Sequence, residues 1–97
     1  MVAMTLAERL VQARGELAAA PEDEQGSKAV TLARFSAYEV RLVQFRQTSS
    51  GNAFAFWMEL FDHNDGIATN GGGTNDFGEA LAFAEELVSQ AEELSKG

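Results

Sequence analysis

The residues best equipped for chemistry lie in one stretch, His63 to Asp76. Gly71-Gly72-Gly73 leads through Thr74 and Asn75 to Asp76, where a helical pattern begins. Glycines at a helix entry can turn backbone N–H groups toward a phosphate, usually with a lysine just after the last glycine. Here Thr74-Asn75-Asp76 follows instead, and the Asp76 carboxylate would repel an anion, so the run reads as a loop leading into a helix cap. Upstream, Asp62-His63-Asn64-Asp65-Gly66 is rich in oxygen ligands, like a calcium loop. Its glycine comes one residue early and Gly73 stands where the closing glutamate belongs, so a turn is expected. His63 is the single histidine. With Asp62 or Asp65 it has the atoms of a metal ligand set or a general base, but a lone histidine in a turn is ordinarily solvated. No serine stands in a familiar order with a histidine and an acid. The expectation is a non-enzymatic protein with no catalytic, metal or cofactor site.

Composition narrows the classes further. Ninety-seven residues make one small domain, and a chain this short buries only about 60–65% of its unfolded surface, so it gains from an oligomer interface or a partner. A 45% hydrophobic and 23% charged composition is that of a globular chain. The absence of cysteine excludes disulfides and thiolate chemistry. A net charge of −8 argues against a non-specific grip on nucleic acid or anionic lipid. The start of the chain lacks a signal-peptide pattern, and the longest apolar run, Ala53 to Met58, is too short to span a bilayer. The expected location is cytoplasmic, with no membrane and no nucleic-acid partner.

The elements that position these residues are legible in outline. Thr5-Leu6-Ala7-Glu8 is a capping box, and Leu6, Leu10, Ala13 and Leu17 form a helical stripe that ends before Pro21. Gly15 interrupts that helix at a cost of about 1 kcal/mol relative to alanine. Lys28 to Ser36 fits either a short strand or a turn of helix, and we read it as an edge strand. Tyr38 to Gln47 and Ala53 to Asp62 are rich in β-branched and aromatic residues and flank the hairpin loop Thr48–Asn52. Asp65-Gly66 supplies a second tight turn, and Ile67 to Asn70 a short further strand. Asp76 caps a last helix with the stripe Phe77, Leu81, Ala84, Leu87, Val88, Ala91 and Leu94. The expected fold is a single α+β domain over residues 1–97. A helix over 5–20, a three- or four-stranded antiparallel meander over 38–70 and a helix over 77–95 follow in that order, both helices packing on one face of the sheet.

Strand parity then suggests a surface. If Phe45 pairs with Phe54 and Val43 with Phe56, the helix-covered face carries Val43, Phe45, Phe54, Phe56, Met58 and Leu60. The opposite face carries Tyr38, Val40, Leu42, Trp57 and Phe61, too apolar for open solvent. Slipping the register so that Glu39 meets Glu59 sets like charges together, which favours the first register. With Arg41 and Arg46 at its rim, this face is the expected interface of a homodimer. Either that role or a second buried layer explains it.

Two family resemblances bear on function. The helix–three strands–helix order is similar to a double-stranded RNA-binding domain, but those domains carry a lysine cluster at the start of the last helix, where this chain has Asn75, Asp76 and Glu79. Gly51 to Val88 resembles the antitoxin domain of HicB-type toxin–antitoxin pairs: Phe56-Trp57, then Gly66 and Gly71, then Gly73-Thr74, then Glu79-Ala80. Residues inserted between Thr74 and Glu79, and a helix preceding the sheet, depart from that pattern. The acidic last helix then suggests an antitoxin-like or nucleic-acid-mimicking inhibitor that neutralises a basic protein partner through Glu85, Glu86, Glu92 and Glu93. Self-association through the sheet is the first functional expectation, and the acidic inhibitor is the alternative.

Overall fold

The computed structural model describes residues 4–45 and 54–97. Six elements follow in order: α1 (Leu6–Ala19), β1 (Lys28–Phe35), β2 (Tyr38–Gln44), β3 (Phe56–Asp62), β4 (Ile67–Thr74) and α2 (Phe77–Lys96). The fold is α+β, with an antiparallel sheet in the order β1-β2-β3-β4. No helix among the described residues is long and apolar enough to cross a membrane.

Local chemistry sets the helix ends. The Thr5 side chain accepts from the Glu8 N–H at 3.1 Å while Glu8 Oε1 accepts from the Thr5 N–H at 3.1 Å, closing the capping box. Hydrogen bonds to the Glu8 carboxyl, first from the Thr5 backbone N–H and then from the Thr5 hydroxyl, hold it below its ordinary value. Asp76 caps α2 through the Glu79 N–H at 2.8 Å.

Both helices pack on one face of the sheet. Leu10, Ala13 and Leu17 of α1 and Ala80, Ala84, Leu87 and Ala91 of α2 meet Leu32, Val40, Leu42, Phe56, Met58 and Leu60 in one core. The alanines let α2 lie close against the strands, which is why Ala80 is buried while Phe77 and Leu94, expected on the buried stripe, stay exposed. Truncating any of the fully buried Leu10, Leu42, Leu60 or Leu87 to alanine costs about 2–5 kcal/mol.

One expectation holds and two change. Lys28–Phe35 is a strand, as read, and makes the sheet four-stranded. The last strand runs to Thr74, not Asn70, so the triple glycine is strand rather than loop. The β2–β3 register also differs by one residue: Val43 lies opposite Trp57, not Phe56, and Arg41 opposite Glu59. Because side chains alternate, that single step exchanges the faces of β2. Val40 and Leu42, expected on the outer face, are 0% exposed in the core, and Tyr38 packs half-buried against the same cluster. The expected hairpin loop Thr48–Asn52 lies outside the described residues.

Gly15 sits on the exposed side of α1 with open space where a Cβ would point. Gly15→Ala is expected to raise the unfolding free energy by about 1 kcal/mol in urea titration. No gain would mean the helix already pays nothing for this glycine.

Candidate interaction face

The face of the sheet turned away from the helices is built by alternate residues of all four strands. From β2 it carries Glu39, Arg41 and Val43, from β3 Trp57, Glu59 and Phe61, and from β4 Gly71 and Gly73. At one end the face is aromatic. Trp57 meets Phe45 edge-on with ring centroids 5.5 Å apart and Phe54 at 6.0 Å. Val43 is buried here yet stands apart from the helix-covered core.

Glycine in β4 makes room for these rings. A Cβ on Gly73 would lie 2.7 Å from both Trp57 Cε3 and Phe54 Cγ, closer than any real contact. On the helix side, a Cβ on Gly72 would lie 3.4 Å from Phe83 Cε2 of α2, so that ring covers the glycine. The glycine run that resembled an anion loop is therefore a flat strand onto which aromatic rings fold from both faces.

The centre of the face is a chain of charges. Arg41 Nη2 is 3.3 Å from Glu59 Oε1, and its guanidinium lies 4.1 Å above the Phe61 ring. Glu39 accepts from the Thr31 hydroxyl and from His63 Nε2, the latter at 2.7 Å. Phe61 supports the imidazole edge-on at 4.8 Å. Burial pushes the Glu39 carboxyl up, but the Thr31 and His63 hydrogen bonds and the Arg41 charge outweigh it and hold Glu39 below 4.5. An ionised carboxylate only accepts, so His63 Nε2 carries the hydrogen of that bond.

This order is not that of a nucleophilic triad. The carboxylate stands between hydroxyl and imidazole, so the histidine has no path to the Thr31 proton. Its role is to keep a buried carboxylate satisfied. Among the described residues no group of three His, Asp or Glu side chains is placed to hold a metal ion. Asp62 to Gly66 forms the β3–β4 turn, with the Gly66 N–H donating to the Asp62 carbonyl at 2.8 Å and Gly66 at φ +70°. Elsewhere, Arg14 borders a cleft of about 500 Å³ beside Leu17 and Phe54, its guanidinium donating to the Ala55 carbonyl at 3.1 Å and lying over Phe56.

Of the residues expected at the interface, Trp57, Phe61 and Arg41 share this outer face. Val40 and Leu42 do not reach it, Tyr38 packs against the core, and Arg46 lies outside the described residues. Missing from the expectation were Glu39, Val43, Phe45, Phe54 and Glu59. The signal that finds them is the opposite-charge pair: a register that sets Arg41 against Glu59 also avoids facing glutamates. Arg41 Nε and Trp57 Nε1 are buried without an acceptor among the described residues. No protein-family model, curated protein or solved structure matches the chain. The fourth strand also departs from the helix–three strands–helix order of a double-stranded RNA-binding domain.

Two outcomes follow from this geometry. Gly73→Ala is expected to displace Trp57 and red-shift its emission, read cleanly because it is the single tryptophan; unchanged emission would show that the indole does not lie against β4. Glu39, lowered in the folded state, contributes stability above its ordinary value of 4.5 that is lost as pH falls below it. The urea midpoint of Glu39→Gln should therefore drop less between pH 7 and pH 3 than that of the wild type. Equal drops would remove the network from the acid response.

Proposed function

We propose that the protein is a small protein–protein interaction domain that self-associates through the outer face of its sheet. One observation carries this reading. Both helices lie on one face, while the aromatic cluster Phe45–Phe54–Trp57 and the partly buried Arg41–Glu59 pair, with Arg41 Nε and Trp57 Nε1 lacking an acceptor among the described residues, lie on the other. A second copy of the chain fits the pattern of charge. In a two-fold interface the same patch meets itself, so Arg41 of one copy can approach Glu59 of the other while the aromatic ends exclude water. Aromatic and arginine side chains are the groups that carry binding energy in such patches.

A second reading has its own support. Glu79, Glu85, Glu86, Glu92 and Glu93 of α2 are all exposed, and the ion pairs of the described residues, Arg9–Glu16, Arg41–Glu59 and His63–Glu39, involve none of them. An unneutralised acidic helix steers toward a basic partner.

Size exclusion with light scattering tests the first reading. The wild type is expected near twice the 10.4 kDa chain mass, and the combined Trp57→Ser and Phe61→Thr variant near the chain mass with unchanged far-ultraviolet circular dichroism. A monomeric wild type, or a variant that stays dimeric, overturns the proposal.

A further inference from the structure

The two edges of the sheet are unequal. At β1 the ladder is broken by a shift between Thr31 and Ala33, and the Arg9 guanidinium donates to the Thr31 carbonyl at 2.5 Å. Bulges and a capping cation are devices that blunt an edge. At β4 the only shift lies opposite Leu60 and Phe61, so Asn70 to Thr74 pair in regular register with β3. Alternate residues of that stretch direct their N–H and C=O groups outward, and nothing among the described residues pairs with them. Glycines at 71 to 73 present no side chain to obstruct an incoming backbone.

Beside this edge runs a groove of about 500 Å³ between β4 and α2, lined by Leu60, Thr69, Asn70, Gln90, Glu93 and Leu94. Leu60 and Leu94 give it an apolar floor, and the Asn70 amide bridges it to Gln90 at 3.0 Å. The α2 side of the groove is acidic. Glu79 accepts from the Thr74 hydroxyl at 2.8 Å, Phe83 covers Gly72, and Gln90 meets Asn70, so one stripe of α2 follows β4. Glu79, Glu86 and Glu93 recur every seven residues along that stripe.

We propose that the β4 edge accepts an extended basic peptide segment of a partner protein as a fifth strand, with an apolar side chain in the Leu60–Leu94 groove. The proposal deepens, and rests on, the acidic-helix reading. Main-chain bonds to Asn70–Thr74 supply the pairing, and lysine or arginine side chains at alternate positions meet the glutamate stripe. The same stripe selects against a second copy. Antiparallel pairing of β4 with itself would place two α2 helices side by side and set their glutamates against one another.

The probe is a labelled eight-residue peptide with threonine at every second position and, at the other four, three lysines and a leucine that share one face of the strand, titrated into isotope-labelled protein. Amide shifts are expected along Asn70–Thr74. Affinity should fall about tenfold when alternate peptide nitrogens are methylated, which removes the donors without changing charge. It should fall about as far when Glu86→Lys and Glu93→Lys, both exposed positions, are combined. Binding that ignores methylation but is lost on charge reversal overturns strand addition and leaves the acidic-helix reading standing. No binding of either peptide overturns both. Shifts along β4 that grow with protein concentration alone would show that a second copy holds the edge, which also overturns the proposal.

Discussion

Between β2 and β3, Arg41 stands opposite Glu59, while on the other face Val40 meets Leu60 and Leu42 meets Met58. Every other assignment in the molecule descends from that pairing. A step of one residue would turn Val40 and Leu42 out to solvent and bring Glu39, Arg41 and Val43 under the helices. Under the helices those two charged groups would lose Thr31, His63 and Glu59 as partners at a cost of several kcal/mol each, whereas the observed register keeps them paired and hides four aliphatic or thioether side chains almost completely. The partly buried ion pair, at 3.3 Å, is not the main source of energy here. Its value lies in specificity, because a step of one residue sets Arg41 opposite Met58 or Leu60 and removes the pairing.

With the register set, the remaining elements have little freedom. The alanine positions of α2 bring it against the strands, and Phe83 then rests on Gly72. On the other side Trp57 and Phe54 occupy the space a Cβ would take at Gly73. A glycine run that weakens a strand intrinsically is thus stabilised by rings on both faces. The absence of side chains there leaves β4 as the open edge, in contrast to β1 with its bulge and Arg9.

Helices and turns were legible because their signals are local. The Thr5–Glu8 box, the Asp76 cap and the Asp65-Gly66 turn each involve residues within a few positions of one another. The glycine strand was not, since its cause is Trp57 and Phe83, which reach it only through tertiary packing. Register was also hidden: an aromatic-rich hairpin has apolar residues on both faces, so alternation alone does not choose between pairings. Trp57, Phe61 and Arg41 come together on the outer face in spite of the slip. Tyr38, Val40 and Leu42 went with the wrong parity of β2. The Glu39–His63–Thr31 network joins β1 and β2 to the distant β3–β4 turn, and no spacing rule points to it.

The account makes the outer face an association surface, and the single tryptophan lies within it. The most direct measurement is acrylamide quenching of Trp57 fluorescence across protein concentrations that span the association equilibrium, since a neutral quencher is indifferent to the acidic surface. Self-association through this face predicts a quenching constant that falls as concentration rises and levels off once the face is covered. A quenching constant that stays the same while the scattered mass doubles would place the contact elsewhere and contradict the account.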